Sequence, residues 1–433
     1  MIVVFVLAAL VALAVLALGH WYLWRRLVRD TTRGPGAARR AGTAVFVAGP
    51  VLMVAALVTE RSHAPFWLQR TLAWPGFLWM ALVLYLLLAV VAGEVVRPLL
   101  RRVVERRAAT AARAAAPEPE PAVRTPEAVL PRPRPEPDGG ATPPEPPPAV
   151  TPDPPGSDGP SRRLFVSRVV GGAAAAAAVG TVTGGTYGVL RGPSVKRVSV
   201  PLAKLPRSAH GFRIAVVSDI HLGPILGRGF AQKVVDTVNH TRPDLIAVVG
   251  DLVDGSVKDL GPAAAPLARL QARHGAWFVT GNHEYFSGAE QWIEEVRTLG
   301  LHPLLNARTE LPGFDLAGVN DLQGESEGQG PDFDKALGDR DTTRACVLLA
   351  HQPVQIHEAV RHDVDLQLSG HTHGGQLWPG NLVAELANPT VAGLERYGDT
   401  QLYVSRGAGA WGPPTRVWAP SDITVVELLS RKA

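Results

Sequence analysis

A chain of 433 residues is longer than one typical domain, and its formal charge of +4 conceals an uneven split. Residues 1–191 carry 21 Arg and no Lys against 12 acids, whereas residues 192–433 carry 22 bases against 27 acids. The positive charge therefore sits beside apolar runs. The C-terminal half has no basic surplus to hold a phosphate backbone, which argues against nucleic acid as a partner.

Residues 2–24 are apolar from Ile2 to Leu18 and end in Trp21, Tyr22 and Trp24. Residues 41–59 and 72–93 are two further runs long enough to cross a bilayer. Trp67, Trp74 and Trp79 stand where interfacial aromatics belong. The first run lacks the basic leader of a cleaved signal peptide. Three such runs in succession predict a transmembrane region with three helices over residues 1–107. Arg25, Arg26, Arg29, Arg33, Arg39 and Arg40 follow the first run, and Arg97, Arg101, Arg102, Arg106 and Arg107 follow the third. The intervening loop holds only Glu60, Arg61 and Arg70, so the positive-inside rule puts the first and third loops in the cytoplasm. None of the three runs carries a charge at mid-membrane depth, which argues against a transporter.

Residues 108–160 read as a Pro-rich disordered linker, because 17 of the 38 prolines fall at 117–160. Ser161-Arg162-Arg163-Leu164-Phe165-Val166 and the Gly/Ala-rich run at 169–190 resemble a twin-arginine export signal in an internal position. The other reading of residues 161–191 is a fourth transmembrane helix. In the first case the twin-arginine translocation machinery is a partner. In both, the chain crosses outward, and residues 192–433 are expected to be extracytoplasmic on a multi-pass cell-membrane protein.

Residues 192–433 alternate short apolar runs (214–217, 245–249, 277–279, 347–350 and 366–368) with helical patterns at 228–240 and 289–299. A looser helical pattern at 258–273 is interrupted by Pro262 and Pro266. This alternation predicts an α/β fold. The single cysteine, Cys346, lies in one of the runs and reads as a core residue. The polar, Gly-rich stretch 325–341 reads as a mobile loop near the site.

Just beyond the ends of the apolar runs stand Asp219, His221, Asp251, Asn282, His351, His371 and His373. Ligand sites in α/β sheets gather at the carboxyl ends of strands. Imidazole mixed with carboxylate suits Mn, Fe, Zn or Co, and Asp251 is placed to bridge two such ions.

Asp219-Ile-His221, Gly250-Asp251-Leu-Val-Asp254, Gly281-Asn282-His283-Glu284, His351 and Gly370-His371-Thr-His373 match, in order, the five motif blocks of the calcineurin-like metallophosphoesterases. The chain resembles that family over about half its length. His371-Thr-His-Gly-Gly-Gln376 and Ser405-Arg406-Gly407 resemble its membrane-associated or twin-arginine-exported bacterial branch. The resemblance implies a metallophosphoesterase-type sandwich of two mixed sheets flanked by helices, with two divalent metal ions. It implies that Asp219, His221, Asp251 and His373 hold one ion, and that Asp251, Asn282, His351 and His371 hold the other. In the family, a hydroxide shared by the metals attacks phosphorus in line. His283 stabilises or protonates the leaving group, and Asp254 orients His283. Arg406, Gly374 and Gly375 are candidates for substrate binding. The implied substrate is a phosphomonoester or phosphodiester, with a lipid or envelope-linked one suiting a site tethered near a bilayer. The alternative is a membrane scaffold or sensor that uses the fold as a binding module. Such proteins lose ligands, whereas every ligand position is filled here.

Overall fold

The structure, a computed structural model, describes residues 2–62, 64–114 and 162–431. Among the described residues, four α-helices precede the first strand: α1 (Ile2–Trp24), α2 (Ala37–Arg61), α3 (Phe66–Ala114) and α4 (Arg162–Leu190). Among the described residues, Ala37–Arg61, Phe66–Ala111 and Arg163–Leu190 are long and apolar enough to cross a membrane; α1 is a further apolar helix. Small residues let these helices touch. A Cβ at Gly49 would collide with the Trp79 ring, and one at Gly76 would lie 2.6 Å from both Ala56 and the Leu52 carbonyl. Leu23, Tyr85, Leu86, Ala174 and Ala178 form a buried cluster joining α1, α3 and α4.

Helix α3 runs to Ala114, past the boundary expected at 107. The extension is mostly alanine, the strongest helix former, so the helix continues into the first residues assigned to the linker. The Pro-rich part of that linker lies outside the described residues. The twin-arginine-like stretch forms one helix, α4, from Arg162.

Strands β1 (Ser194–Leu202), β2 (Phe212–Val217), β3 (Leu245–Val249), β4 (Ala276–Val279) and β5 (Leu301–Pro303) follow. Between them lie α5 (Arg228–His240), α6 (Val257–Ala264), α7 (Asn282–Ser287) and α8 (Ala289–Thr298). Next come β6 (Ala307–Leu311), β7 (Phe314–Gly318), β8 (Ala345–Leu349), β9 (Leu366–Ser369), β10 (Gly393–Tyr397), β11 (Thr400–Val404) and β12 (Asp422–Ser430). The helices among these are α9 (Phe333–Leu337), α10 (Ile356–Arg361) and α11 (Gly380–Ala387).

The strands build two six-stranded mixed sheets, ordered β1-β12-β2-β3-β4-β5 and β10-β11-β9-β8-β7-β6. β2 to β5 are mutually parallel, as are β7, β8, β9 and β11. Alternation along each strand separates the layers. Ile214, Val216, Leu245 and Val249 meet Val347, Leu349, Leu366 and Leu368 between the sheets. Ala215, Val217, Ile246 and Val248 turn outward onto α5, α6 and α8. Cys346 and Leu348 face α9 and α10. The result is a helix-flanked sandwich, as expected.

Two expectations change. The pattern at 258–273 divides into α6 and a 3-10 turn, Ala265–Arg269, because Pro266 has no N–H to continue the ladder. The stretch expected as a mobile loop instead holds a 3-10 turn, Leu322–Glu327, and α9. Phe333, Ala336 and Leu337, at helical spacing under a polar composition, are buried on the second sheet.

Candidate metal centre

Parallel strands share a direction, so the carboxyl ends of β2, β3 and β4 in one sheet and of β8 and β9 in the other open on one rim. Asp219, Asp251, His351 and His371 each lie two residues past the end of their strand, and Asn282 lies three past. Five ligand-type residues, Asp219, His221, Asp251, His371 and His373, have positive φ between 47° and 72°. Left-handed backbone at non-glycine residues costs free energy and persists where the surroundings enforce it. The glycines beside them create the space. A Cβ at Gly250 would lie 2.6 Å from both the Gly281 amide nitrogen and His351 Nδ1, and Cβ atoms at Gly370 or Gly407 would press on Asp219.

The expected ligands gather into two groups that share one wall. In the first, Asp219, His221 and His373 bring ligand atoms together. His373 Nε2 is 3.4 Å from Asp219 Oδ1 and 3.0 Å from His221 Nε2. In the second, Asp251, His351 and His371 do the same, and His371 Nδ1 is 3.0 Å from Asn282 Oδ1. Asp251 Oδ2 stands between the groups, 3.7 Å from His221 Nε2 and 3.1 Å from His351 Nε2.

The proton positions fit cations. His221 Nδ1 donates to Asp254 at 2.9 Å and His351 Nδ1 donates to the Val249 carbonyl at 2.8 Å. With those protons on Nδ1, loss of any proton on Nε2 would leave each ring a lone pair to offer a cation. His351 Nε2 is fully buried and faces Asp251 Oδ2 at 3.1 Å without hydrogen-bond geometry, a pair that a cation would satisfy. Burial opposes the charge on Asp251, yet His351 and the neighbouring imidazoles hold its carboxyl well below the usual range. Burial also opposes protonation of His351, but Asp251 and Asp219 raise its basicity, so cation binding there displaces a proton. His371 is lowered to about 4 by burial and by the neighbouring His351.

Asp254 lies outside both ligand groups and accepts from two rings: His221 at 2.9 Å and His283 Nδ1 at 2.7 Å. Burial disfavours a charged His283, but Asp254's charge and hydrogen bond outweigh it and push the ring up to about 9. His283 is fixed beside the ligand groups by its backbone N–H, which donates to Asp251 Oδ1 at 2.9 Å.

The structure also brings in residues the sequence reading passed over. Glu284, buried at the third position of α7, accepts from the amides of Asp251, Leu252 and Gly281 at 3.0, 2.7 and 2.6 Å. It ties together the two loops that carry Asp251 and Asn282. Its position three residues after Gly281 was the available signal. Arg416, also buried, lies 3.1 Å from His373 Nδ1 and donates to the His373 carbonyl at 2.9 Å. It lies 43 residues from its partner in sequence, and no local pattern marks it. A cavity of about 530 Å³ opens beside His283 and Asp254, and Glu60, Arg61 and Phe66 of the membrane helices line it together with Phe286 and Trp411.

Gly374 and Gly375, at φ +61° and +81°, make the tight turn after His373, with Gly375 packed on the Asn381 backbone. Arg406 leans on Gly374, and its Nη1 stands 4.0 Å from Asp422.

Residues 212–375 match the family model described as calcineurin-like phosphoesterase. A "transmembrane protein with metallophosphoesterase domain" of Danio rerio is 41% identical over 251 residues, 54% of this chain and 57% of that protein. An uncharacterized metallophosphoesterase of Helicobacter pylori is 39% identical over 250 residues, 57% of this chain and 67% of that protein. Another, of Aquifex aeolicus, is 34% identical over 239 residues, 54% of this chain and 91% of that protein. The chain thus spans little more than half the length of the Danio rerio relative it matches.

Proposed function

The chain belongs to the calcineurin-like phosphoesterase family, and from that premise we propose that it is a membrane-anchored, metal-dependent hydrolase of phosphomonoesters or phosphodiesters. The observation that carries this reading is Asp251, one buried carboxylate that lies in one ligand group at 3.1 Å from His351 Nε2 and faces the other at 3.7 Å from His221 Nε2. Asp219, His221, Asp251 and His373 would hold one divalent ion, and Asp251, Asn282, His351 and His371 the other. Mn, Fe, Zn and Co all suit these donors. When bound, the pair supplies hydroxide near neutral pH and neutralises phosphoryl charge. His283 would supply a proton to the leaving oxygen, and Asp254, 2.7 Å from its Nδ1, keeps the ring oriented. The cavity beside His283 accommodates the leaving group. Arg406, beside the turn that follows His373, would pair with a phosphate bidentately.

The same reading sets the sidedness. The arginines after α1, after the apolar part of α3 and before α4 stay inside, so residues 192–433 face the extracytoplasmic side. The packing of Ala174, Ala178 and Val182 of α4 into the α1–α3 cluster supports retention of α4 as a fourth membrane helix rather than its cleavage. Changing Arg162 and Arg163 to Lys leaves such a helix in place, but strands the catalytic half inside if the twin-arginine machinery reads it. Alkaline phosphatase fused after Pro193 is expected to be active and fused within 131–148 to be silent; the reverse pattern overturns the topology. Hydrolysis of bis(p-nitrophenyl) phosphate by the full-length chain with added Mn²⁺ tests the activity. Failure with every one of Mn, Fe, Zn and Co, on protein that binds two ions, would favour the scaffold reading.

A further inference from the structure

Helix α11 buries none of its residues. Its Val383 and Leu386 are 69% and 87% exposed, and Trp418 beside it is 78% exposed. Glu385 is the helix's one charged residue. Neighbouring apolar side chains this bare are unusual on a surface that faces water.

This ledge does not stand alone. Trp378, just before α11, packs its ring 4.9 Å from that of Trp418. Tyr85, within the apolar part of α3, donates to the Trp378 carbonyl at 3.0 Å. Leu377 and Val417 pack against the buried cluster of the membrane helices, and Thr415 Oγ1 lies 2.7 Å from Thr186 Oγ1 of α4. The bare face of α11 is therefore continuous with the sides of α3 and α4, which a bilayer covers. At its other end the ledge meets the candidate metal centre: Gly375 packs on Asn381, and the Thr372 hydroxyl, between His371 and His373, donates to the Val391 carbonyl at 2.6 Å.

We infer that α11, Trp378 and Trp418 are inserted in the bilayer leaflet beside α3 and α4, and that the phosphoester hydrolysed at the metal centre is a lipid reached along this ledge. The second clause rests on the hydrolase reading above; the first does not. A short apolar helix with tryptophans at its edge is the kind of element that settles at the boundary of headgroups and acyl chains. It lets a lipid bring its phosphate to the rim while its chains stay in hydrocarbon. A water-soluble phosphoester gains nothing from such a ledge.

Two measurements on the full-length chain in phosphatidylcholine–phosphatidylglycerol nanodiscs test this. Because Cys346 is buried, Leu386→Cys takes an environment-sensitive fluorophore at one place, and the unsubstituted chain serves as the blank. A blue-shifted emission quenched by spin-labelled lipid is expected. Emission quenched by aqueous iodide and not by lipid overturns the insertion, whether water or another protein covers the face. The second measurement compares hexadecyl p-nitrophenyl phosphate with ethyl p-nitrophenyl phosphate, which share a reacting centre and differ only in the tail. The hexadecyl ester is expected to have the higher kcat/KM by about tenfold or more, because remote binding energy favours it. Leu382→Ser with Leu386→Ser should abolish that preference while leaving the ethyl ester within about twofold, as exposed substitutions do. Equal rates on both esters overturn the lipid assignment. Hydrolysis of neither ester overturns the hydrolase reading itself, and the fluorescence result still decides the insertion.

Discussion

The membrane half and the sandwich are built inside out with respect to each other. In α2 and α4, Val51, Val54 and Val179 point outward, and residues such as Gly49, Ala56 and Ala178 are buried where helices touch. In the sandwich the apolar side chains are interior, yet Asp219, Asp251, Glu284 and His351 are interior as well. Each half is ordered by its solvent. Hydrocarbon gives helices no reason to hide valine, so contact comes from small residues fitting closely. Water drives valine and leucine between the sheets, and that burial holds a cluster of charges where none would settle alone. On the function proposed above, the buried polarity of the second half serves a ligand, whereas the exposed apolarity of the first half serves lipid. Helix α11 belongs to the second half by sequence and follows the rule of the first.

The comparison breaks most visibly at Asp251. If its buried charge serves cations shared by both ligand groups, Asp251→Asn should lose metal stoichiometry and nearly all activity together. Elemental analysis alongside turnover on bis(p-nitrophenyl) phosphate checks this. Two metals per chain with full turnover would mean that the carboxylate serves the fold instead.

His283 sharpens the same point, because it stands beside the ligand groups without belonging to either. His283→Ala should keep both metals yet slow esters with poor leaving groups by about 10²–10⁴. A p-nitrophenyl ester, whose leaving group needs little protonation, should lose far less. The pH profile has a definite sign. Asp254 raises His283 to about 9, so the acid is present below that pH and is lost as pH rises through it. The alkaline fall in kcat/KM should therefore be present in the unsubstituted chain and absent from the alanine variant. Equal losses on both ester classes would remove His283 from the leaving-group role.

How far the sequence could be read follows the same division. The strands that carry the ligands were legible to within two residues at either end, because each is a short apolar run with a ligand-type residue within three positions of its end. Helix α5 was legible to the residue, since its apolar positions repeat with helical spacing. The segment at 325–341 was not. Its polar composition hid three apolar residues, and only packing on the second sheet reveals their use. Arg416 and the Glu60–Phe66 wall were illegible for another reason: they reach the site across 43 residues or from the other half of the chain. Periodicity and motif spacing report what neighbours in sequence do, and these contacts exist only once distant parts of the chain are folded together.

Glu284 gives a smaller effect of a different kind. Its two oxygens accept three amide hydrogens, so a side chain with one acceptor leaves donors unmet in a buried place. Glu284→Gln should destabilise the catalytic half by about 1–3 kcal/mol and weaken metal binding by about 10–100-fold. Thermal melting with and without Mn²⁺ measures both. Unchanged melting with unchanged affinity would show that the loops of Asp251 and Asn282 are held by something else.

The smallest expected effect lies where the halves meet. Tyr85→Phe removes the hydrogen bond to the Trp378 carbonyl and nothing of comparable size. The loss should be about 0.5–1.5 kcal/mol, a lowering of the melting temperature by about 1–6 °C for a domain of this length. Turnover of the ethyl ester should stay within about twofold, since no ligand moves. The hexadecyl ester is the sensitive readout, because Tyr85 fixes the turn from which α11 extends beside the membrane helices. If a lipid reaches the metal centre along that ledge, loosening its joint should lower kcat/KM for the long-chain ester more than for the short one. Equal changes on the two would make the contact a structural strut, and the ledge would then owe its position to α4 and the Thr186–Thr415 pair instead.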